Sequence, residues 1–233
     1  MLKKTISVCL IPARGGSKRI KNKNIKYFYG KPLIAYAIEK ALNSKLFDKV
    51  YVSTDSKKIA LIAKRYGAEI PFYRPKIFSN DESSDNQVIN HFLDFVKQKN
   101  FVIGNLCYLY PVTPLLTITT LKKSYQIIKK GKFQKVIMIG KFSYPIQRAL
   151  TKGPKQEIKF VSKKFSKFRS QELKDYYHDA GQCYWFNIKK LKNKKISNNL
   201  KTAGLELKSH EFHDVDTLED LEDLEWKKQW ANV

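Results

Sequence analysis

Cysteine is scarce in this sequence, and long apolar runs are missing from it. The three cysteines, Cys9, Cys107 and Cys183, are widely spaced, form no C-x-x-C pair and are odd in number, which does not suit an oxidised framework. No apolar stretch approaches the length of a membrane span, and no low-complexity segment interrupts the chain. We therefore expect one globular domain over the 233 residues, in the reducing cytoplasm.

Acidic residues are also few. The sequence has 45 Lys and Arg against 21 Asp and Glu, a formal net charge of +24. Such a charge attracts polyanions, which include nucleic acids, anionic membrane surfaces and highly phosphorylated small substrates. The lysines are spread over nearly every segment, and no nucleic-acid-binding fingerprint accompanies them. We therefore expect a phosphorylated small substrate, with no nucleic-acid or membrane partner, and keep a basic nucleic-acid-binding α/β protein as the alternative from a different class.

The most informative stretch is Ile6 to Asn24. Its apolar run from Ile6 to Ile11 ends at Pro12 and predicts a buried parallel strand, although the same run imitates the apolar part of a secretion signal. The glycine pair and the polar or basic residues that follow predict a phosphate-binding loop: Arg14, Gly15, Gly16, Ser17, Lys18, Arg19, Lys21 and Lys23. The spacing matches neither common nucleotide fingerprint, so a solvated basic loop stays the alternative.

Alternating strand and helix patterns predict a mostly parallel sheet. A helix is expected from Pro32 to Leu42, a strand at Lys49–Ser53 and a second helix from Ile59 to Tyr66. Further elements are expected at 85–95 (helix), 106–110 (strand), 119–130 (helix) and 135–139 (strand). Because ligands bind at the carboxyl ends of parallel strands, the loops that follow the first strands should form the binding edge.

Near the end of the chain, Asp214 and Asp216 flank a single residue. In an extended segment, residues two apart point to one face, so these carboxylates could share one cation, and Mg²⁺ prefers such ligands together with water and phosphate oxygens. The alternative is that Asp216 or Thr217 caps the last helix, with Asp220 completing a capping box. Both interpretations stay open at this stage.

Several motifs together resemble those of a known family. The order Arg-Gly-Gly-Ser-Lys-Arg from Arg14, then Lys23-Asn24, then Gly30-Lys31-Pro32-Leu33 resembles the entry segment of sugar-activating nucleotidyltransferases, and more narrowly that of the cytidylyltransferases that make CMP-activated nonulosonic acids. Three features are more similar to the members of this family that act on pseudaminic acid. They are the motifs Tyr144-Pro-Ile-Gln-Arg and Asp179-Ala-Gly-Gln-x-Tyr-Trp, and Tyr110, at a position where sialic acid enzymes commonly have Gln.

The resemblance implies a fold, substrates and roles for individual residues. The fold is a Rossmann-like, three-layer α/β nucleotide-diphospho-sugar transferase domain over residues 1–233, with 141–185 as an inserted dimerisation and sugar-pocket subdomain and a homodimer as the assembly. The substrates are CTP and an acidic nine-carbon sugar, pseudaminic acid, with N-acetylneuraminic or legionaminic acid as alternatives, and the cofactor is Mg²⁺.

The implied site residues fall into four sets. The catalytic set comprises Lys23, Arg14 and Asp216. The nucleotide-binding set comprises Arg14, Gly15, Gly16, Ser17, Lys18, Lys23, Asn24, Arg74, Ser83, Ser84 and Tyr110. The sugar-binding set comprises Gln147, Arg148, Asp179, Gln182 and Tyr184, and the metal ligands are Asp214 and Asp216.

Overall fold

The structure of the chain, a computed structural model, describes residues 3–230. The strands are β1 (Lys4–Pro12), β2 (Tyr27–Phe28), β3 (Lys31–Pro32), β4 (Lys49–Ser53), β5 (Phe101–Leu109), β6 (Lys135–Lys141), β7 (Leu150–Lys152), β8 (Ile158–Phe160), β9 (Tyr177–Asn187) and β10 (Thr202–Leu207). The α-helices are α1 (Leu33–Ser44), α2 (Lys57–Arg65), α3 (Asp85–Val96), α4 (Ile118–Lys129) and α5 (Leu218–Trp230).

A six-stranded sheet forms the centre of the molecule, in the order β10-β6-β9-β5-β1-β4. Neighbouring strands are parallel except β9, which runs antiparallel to both β5 and β6. The strand bounds follow the apolar runs, since the side chains of β1 from Val8 to Ile11 lie against helices on one face or the other. The predicted, mostly parallel α/β architecture is confirmed.

Helices cover both faces of the sheet. On one face, Cys9 and Ile11 of β1 pack with Ile34 of α1 and Leu121 of α4. On the other face, the alternate residues of β1 pack with Phe92 of α3. The molecule therefore has three layers, with the sheet between two layers of helices. Helix α5 packs at one end, in a smaller apolar cluster with the hairpin formed by β2 and β3. Within residues 3–230, no helix has both the length and the apolar character needed to cross a bilayer.

The inserted segment differs from its predicted bounds. Residues 177–185, which were assigned to the insertion, belong to β9 in the middle of the sheet, so the part that leaves the sheet is 142–176 with its β7–β8 hairpin. The sequence of β9 mixes Tyr, His, Asp and Gln with apolar residues and so lacks the periodicity of a buried strand. Its burial is nevertheless nearly complete at Ala180, Cys183 and Trp185.

Candidate active site

Two adjoining cavities open near the carboxyl ends of β1 and β5. The first has a volume of about 440 Å³ and the second about 330 Å³. Residues from the loops after these two strands line both cavities: Lys23, Asn24, Tyr110 and Pro111. A ligand that spans both cavities would therefore pass beside Lys23.

The loop after β1 has its shape fixed by internal hydrogen bonds. Asn24 is buried and donates from Nδ2 to the carbonyl of Arg14 at 3.0 Å. Asn22 adopts a left-handed backbone conformation, with φ of 58°, which turns the chain into a short helical segment at Lys23–Ile25. The consequence is that Arg14 and Lys23, nine positions apart in sequence, face the same cavity.

The basic loop meets the carboxyl-terminal carboxylate directly. Lys23 Nζ lies 3.2 Å from Asp216 Oδ1 and donates to the carbonyl of Val215 at 2.5 Å. Arg19 Nη2 lies 2.8 Å from the other oxygen of Asp216. The structure thus brings together the predicted basic loop and the predicted carboxylate at one edge of the sheet.

A second carboxylate, which the sequence analysis did not single out, pairs with the other end of the loop. Asp81 lies 2.7 Å from Arg14 Nη1 and also contacts Lys18 Nζ. Hydrogen bonds from Lys18 and Arg14 lower the pKa of the Asp81 carboxyl below its ordinary value. Asp81 belongs to the segment between Arg74 and α3, so this segment is tied to the basic loop across the first cavity.

Arg74 lies in the wall of the first cavity with unsatisfied donors. The residue is buried, yet its Nε and Nη2 atoms have no hydrogen-bond partner among the described residues. Burial lowers the pKa of Arg74 from its ordinary value, although a guanidinium stays charged at any physiological pH. Leaving buried donors unpaired costs about 1–3 kcal/mol each, which a ligand with acceptor groups would recover.

Tyrosines and carboxylates form a chain of contacts between the two cavities. Asp85, the first residue of α3, accepts hydrogen bonds from Tyr108 Oη at 2.7 Å and from Tyr110 Oη. Tyr110 Oη lies 3.4 Å from Tyr184 Oη, which donates to Asp179 at 2.7 Å. Burial raises the pKa of all three tyrosines above its ordinary value, so they are protonated donors at neutral pH.

A bulge in β9 directs this chain toward the second cavity. The register between β9 and β6 changes at this point. Ile137 of β6 is opposite Tyr184, whereas Ile139 is opposite Asp179, so β9 contains extra residues between the two pairs. Gly181 lies within the shift with φ of +61°, a conformation that favours glycine, and its N–H donates to Asp179 at 2.9 Å. Asp179, Gly181 and Tyr184 consequently line the second cavity.

Asp214 and Asp216 are separated by the buried Val215 and line different cavities, Asp214 the second and Asp216 the first. Among the described residues, no group of three or more His, Cys, Asp or Glu has the geometry of a metal site. The two carboxylates therefore do not line one cavity, as their spacing had led us to expect. A carboxylate beside the cationic first cavity, with a second in the adjoining cavity, still fits Mg²⁺, which takes one or two carboxylates and completes its shell with water and substrate phosphates.

The capping interpretation of this segment is confirmed. Thr217 Oγ1 accepts from the N–H of Asp220 at 3.2 Å, and the Asp220 carboxylate accepts from the N–H of Thr217 at 2.7 Å. Asp220 also accepts from the N–H of Asp216 at 2.9 Å. The cap orients the backbone of Asp216 and leaves its side chain facing Lys23.

Several predicted nucleotide residues lie beside the cavities and line neither. The N–H of Gly15 donates to Asp55 at 2.8 Å, and a Cβ there would lie 3.0 Å from Ser56, so this glycine allows two loops to approach and does not offer its N–H to a phosphate. Gly16 also lies outside both linings, and Ser84 caps α3. The neighbouring Ser17 and Ser83 do line the first cavity.

The predicted sugar residues divide into two groups. Asp179 and Tyr184 line the second cavity, whereas Gln182 is buried beneath it and donates to the carbonyl of Ala180 at 3.0 Å. Gln147 and Arg148 lie in the insertion and line neither cavity. Gln147 donates to the carbonyl of Lys174 at 2.7 Å, and Arg148 lies 3.4 Å from Ser170 Oγ.

Two solved structures share the overall fold of this chain. CMP:2-keto-3-deoxy-manno-octonic acid synthetase complexed with CTP superposes with a TM-score of 0.68 over 96% of this chain and 98% of the other, at 18% identity. The 4-diphosphocytidyl-2C-methyl-D-erythritol synthase of Anaerococcus prevotii superposes with a TM-score of 0.63 at 12% identity, over 97% and 99% of the two chains. At such identities the likeness concerns the fold alone.

Sequence comparison defines the family. The family model described as cytidylyltransferase matches residues 8–228, and the chain belongs to this family. It is 38% identical to the pseudaminic acid cytidylyltransferase of Campylobacter jejuni over 216 residues, 93% of each chain. It is 32% identical to the N-acylneuraminate cytidylyltransferase of Escherichia coli over 188 residues, 79% of this chain and 43% of the relative.

Proposed function

We propose that this chain couples CTP to pseudaminic acid, an acidic nine-carbon sugar, and releases CMP-pseudaminic acid and pyrophosphate. The observation that carries the proposal is the pair of adjoining cavities, one rich in cations and one walled by tyrosines and carboxylates, with Lys23 at their junction. The choice of sugar rests on the 38% identity, over 93% of both chains, to a relative that carries that activity in its name.

The first cavity receives the nucleotide in this proposal. Arg14, Ser17 and Lys18 hold the β- and γ-phosphates. When the nucleotide binds, Arg14 and Lys18 leave Asp81 and contact phosphate oxygens instead. Arg74 directs its unpaired donors at acceptor atoms of the nucleoside. Because these groups are already in place around the cavity, binding orders few additional side chains.

The reaction takes place at the junction. The anomeric 2-hydroxyl of the sugar attacks the α-phosphorus, an oxygen–phosphorus bond forms, and the bond to the bridging oxygen of the pyrophosphate breaks in line with it. Lys23 stabilises the negative charge that grows on the α-phosphate, and Asp216, 3.2 Å from Lys23, accepts the hydroxyl proton. Positioning and neutralisation of charge supply most of the acceleration, as phosphoryl transfer demands little covalent work.

Asp214 and Asp216 are the residues that would hold Mg²⁺. When bound, the ion neutralises phosphate charge and polarises the phosphoryl group toward attack. The remaining groups of the site act through their own charges and hydrogen bonds.

We also propose that the insertion pairs two copies of the chain. The β7–β8 hairpin exposes Leu150, Ile158 and Phe160, and Val161 next to it is 65% exposed. Apolar side chains on a projecting hairpin favour contact with a second copy. In a homodimer, the insertion of one subunit could deliver Gln147 and Arg148 to the second cavity of the other, where Arg148 would pair with the sugar carboxylate. Sedimentation of the chain and of a Leu150→Asp/Ile158→Asp variant tests the pairing, since a monomer in both cases contradicts it.

The reaction is tested by pyrophosphate release. Purified protein is incubated with CTP and Mg²⁺ against pseudaminic, legionaminic and N-acetylneuraminic acids in parallel. The proposal expects the highest kcat/KM with pseudaminic acid, and a preference for either of the other sugars would favour the alternative substrates. Salt-sensitive RNA binding without CTP turnover would favour the nucleic-acid-binding alternative. We place the reaction in the cytoplasm, because three buried, unpaired cysteines suit a reducing compartment.

A further inference from the structure

The contact chain from Asp85 through Tyr110 and Tyr184 to Asp179 has fewer protons than contacts. It contains three oxygen–oxygen contacts between two carboxylates and two phenols. Each phenol carries one proton, and an ionised carboxylate carries none. Two protons therefore serve three contacts, and one contact stays without a hydrogen bond.

The distances identify which contact lacks the proton. Tyr110 to Asp85 is a short contact and Tyr184 to Asp179 measures 2.7 Å, whereas the two phenol oxygens lie 3.4 Å apart. Hydrogen bonds to charged acceptors are the stronger ones, so both protons go to the carboxylates. The oxygens of Tyr110 and Tyr184 then meet with lone pairs only, at the wall of the second cavity that both residues line.

We propose that Asp85 is a positioning residue that acts through Tyr110. By holding the Tyr110 proton, it makes the Tyr110 and Tyr184 oxygens a paired acceptor for an N–H or O–H group of the acidic sugar. This inference rests on the proposed function. A donor placed between the two oxygens supplies the missing proton and completes the chain, and an acceptor placed there meets lone pairs and is disfavoured.

The position of Asp85 in the fold supports this role. It is the first residue of α3, where the positive end of the helix stabilises a carboxylate, and the capping residues Ser84 and Gln87 satisfy the helix end without it. The Asp85 carboxylate is therefore available to the two tyrosines. Tyr108 also donates a hydrogen bond to Asp85, and it is opposite Tyr184 in the pairing of β5 with β9. The Asp85 carboxylate therefore also holds the Tyr108 ring, which lies beside Tyr184.

The test uses Asp85→Asn, Tyr110→Phe and the double variant. Asn keeps the size of Asp but has one acceptor oxygen and one NH2 donor in place of two acceptor oxygens. Tyr108 is fully buried and needs its acceptor, so the amide oxygen stays with Tyr108, the NH2 group faces Tyr110, and the Tyr110 proton turns to the cavity. The matched control is Asp94→Asn on the same helix, where the carboxylate pairs with Lys97 at the surface. For each variant, pyrophosphate release is measured with CTP varied and then with the sugar varied.

The expected result for Asp85→Asn is an increase of about tenfold in KM for the sugar, the effect of losing one hydrogen bond of this kind, with KM for CTP changed less than threefold. Tyr110→Phe should match it, and the double variant should be no worse than Tyr110→Phe alone, because Asp85 acts through Tyr110. The control should behave as the parent.

Three outcomes would overturn the inference: losses in the two single variants that multiply in the double variant, an effect confined to KM for CTP, or an Asp85→Asn variant that equals the Asp94→Asn control. Failure of the proposed function is distinguishable from these, since the parent protein itself would then release no pyrophosphate from CTP with the sugar.

Discussion

Lys23 and Asp216 lie 193 positions apart in sequence, and their Nζ and Oδ1 atoms are 3.2 Å apart in the fold. Arg19 holds the second oxygen of the same carboxylate at 2.8 Å. The basic loop and the carboxyl-terminal carboxylate therefore form one charged group at the carboxyl edge of the sheet.

Replacing Lys23 should abolish most turnover and leave the fold intact. In Lys23→Ala, kcat should fall about 10²- to 10³-fold, the usual loss when one donor to a developing negative charge is removed. Tm should shift by no more than about 4 °C, because the polar contacts of the lysine with the described residues are to a carbonyl and to a partly exposed carboxylate. Lys26→Ala, an exposed lysine three positions further on that lines neither cavity, is the control. Rates near those of the parent would remove Lys23 from the mechanism.

Removing both carboxylates should remove the response to magnesium. In Asp214→Asn/Asp216→Asn, activity that depends on added Mg²⁺ should vanish, since the neutral amides bind the ion poorly. The parent should lose activity when the ion is chelated and regain it when Mg²⁺ is restored. Asp223→Asn, at an exposed position of α5, serves as the matched control. Mg²⁺-dependent turnover in the double variant would show that the ligands lie elsewhere.

Asp81 should compete with the nucleotide for the basic loop. Its carboxylate contacts Arg14 and Lys18, the cations proposed to hold phosphates, so Asp81→Asn should lower the dissociation constant of CTP roughly two- to fivefold, the effect of one or two exposed ion pairs. Titration calorimetry at two salt concentrations measures this, with Asp94→Asn as the control. Weaker CTP binding in Asp81→Asn would mean instead that Asp81 supports the bound state.

Lys40 should make stability depend on pH above neutrality. Burial, with the nearby charge of Lys228, lowers the pKa of Lys40 to about 7 from its ordinary 10.5. Between these two values the unfolded chain binds more protons than the folded chain, so this residue makes the free energy of unfolding rise with pH across that window. In Lys40→Met that contribution should be lost, and in the exposed control Lys58→Met it should remain. Urea unfolding at pH 7 and at pH 9.5 gives the change in the free energy of unfolding between these pH values. The same change in the parent, Lys40→Met and Lys58→Met would contradict the assignment.

Much of the sheet could be predicted from sequence, because its parallel strands are buried on both faces. The predicted strand Lys49–Ser53 coincides with β4, and the helix predicted at 85–95 is α3 at Asp85–Val96. The main error was to assign the first part of β9 to the insertion, since this strand lies in the middle of the sheet. The side chains of Asp179, Gln182 and Tyr184 hydrogen-bond within the bulged strand itself, and the periodicity of a sequence does not reveal a bulge.

The site was predicted in part. Lys23, Arg14 and Asp216 line one cavity, as the motifs indicated. Asp81 and Asp85 belong to a polar stretch that the sequence also offers, but their partners were found only in the structure. Both carboxylates lie in a polar segment whose sequence is typical of the start of a helix. Their partners, Arg14 and Tyr110, come from other loops, and pairings between distant loops leave no spacing signal. A sharper clue was available in Asp85 itself, a carboxylate beside an N-cap that Ser84 already supplies.

The bulged return of the chain through β9 has a wider consequence. The insertion departs from β6 and comes back along β9, and these strands are antiparallel neighbours, so its two stems form a single ladder. Residues 142–176 can therefore lengthen, shorten or diverge without reordering the strands of the six-stranded sheet. Asp179 lies only three residues after the insertion ends, so the insertion is closer along the chain to the second cavity than to the basic loop. In the proposed reaction, the choice of sugar can therefore change through residues 142–176, while the loop proposed to hold the nucleotide keeps its structure.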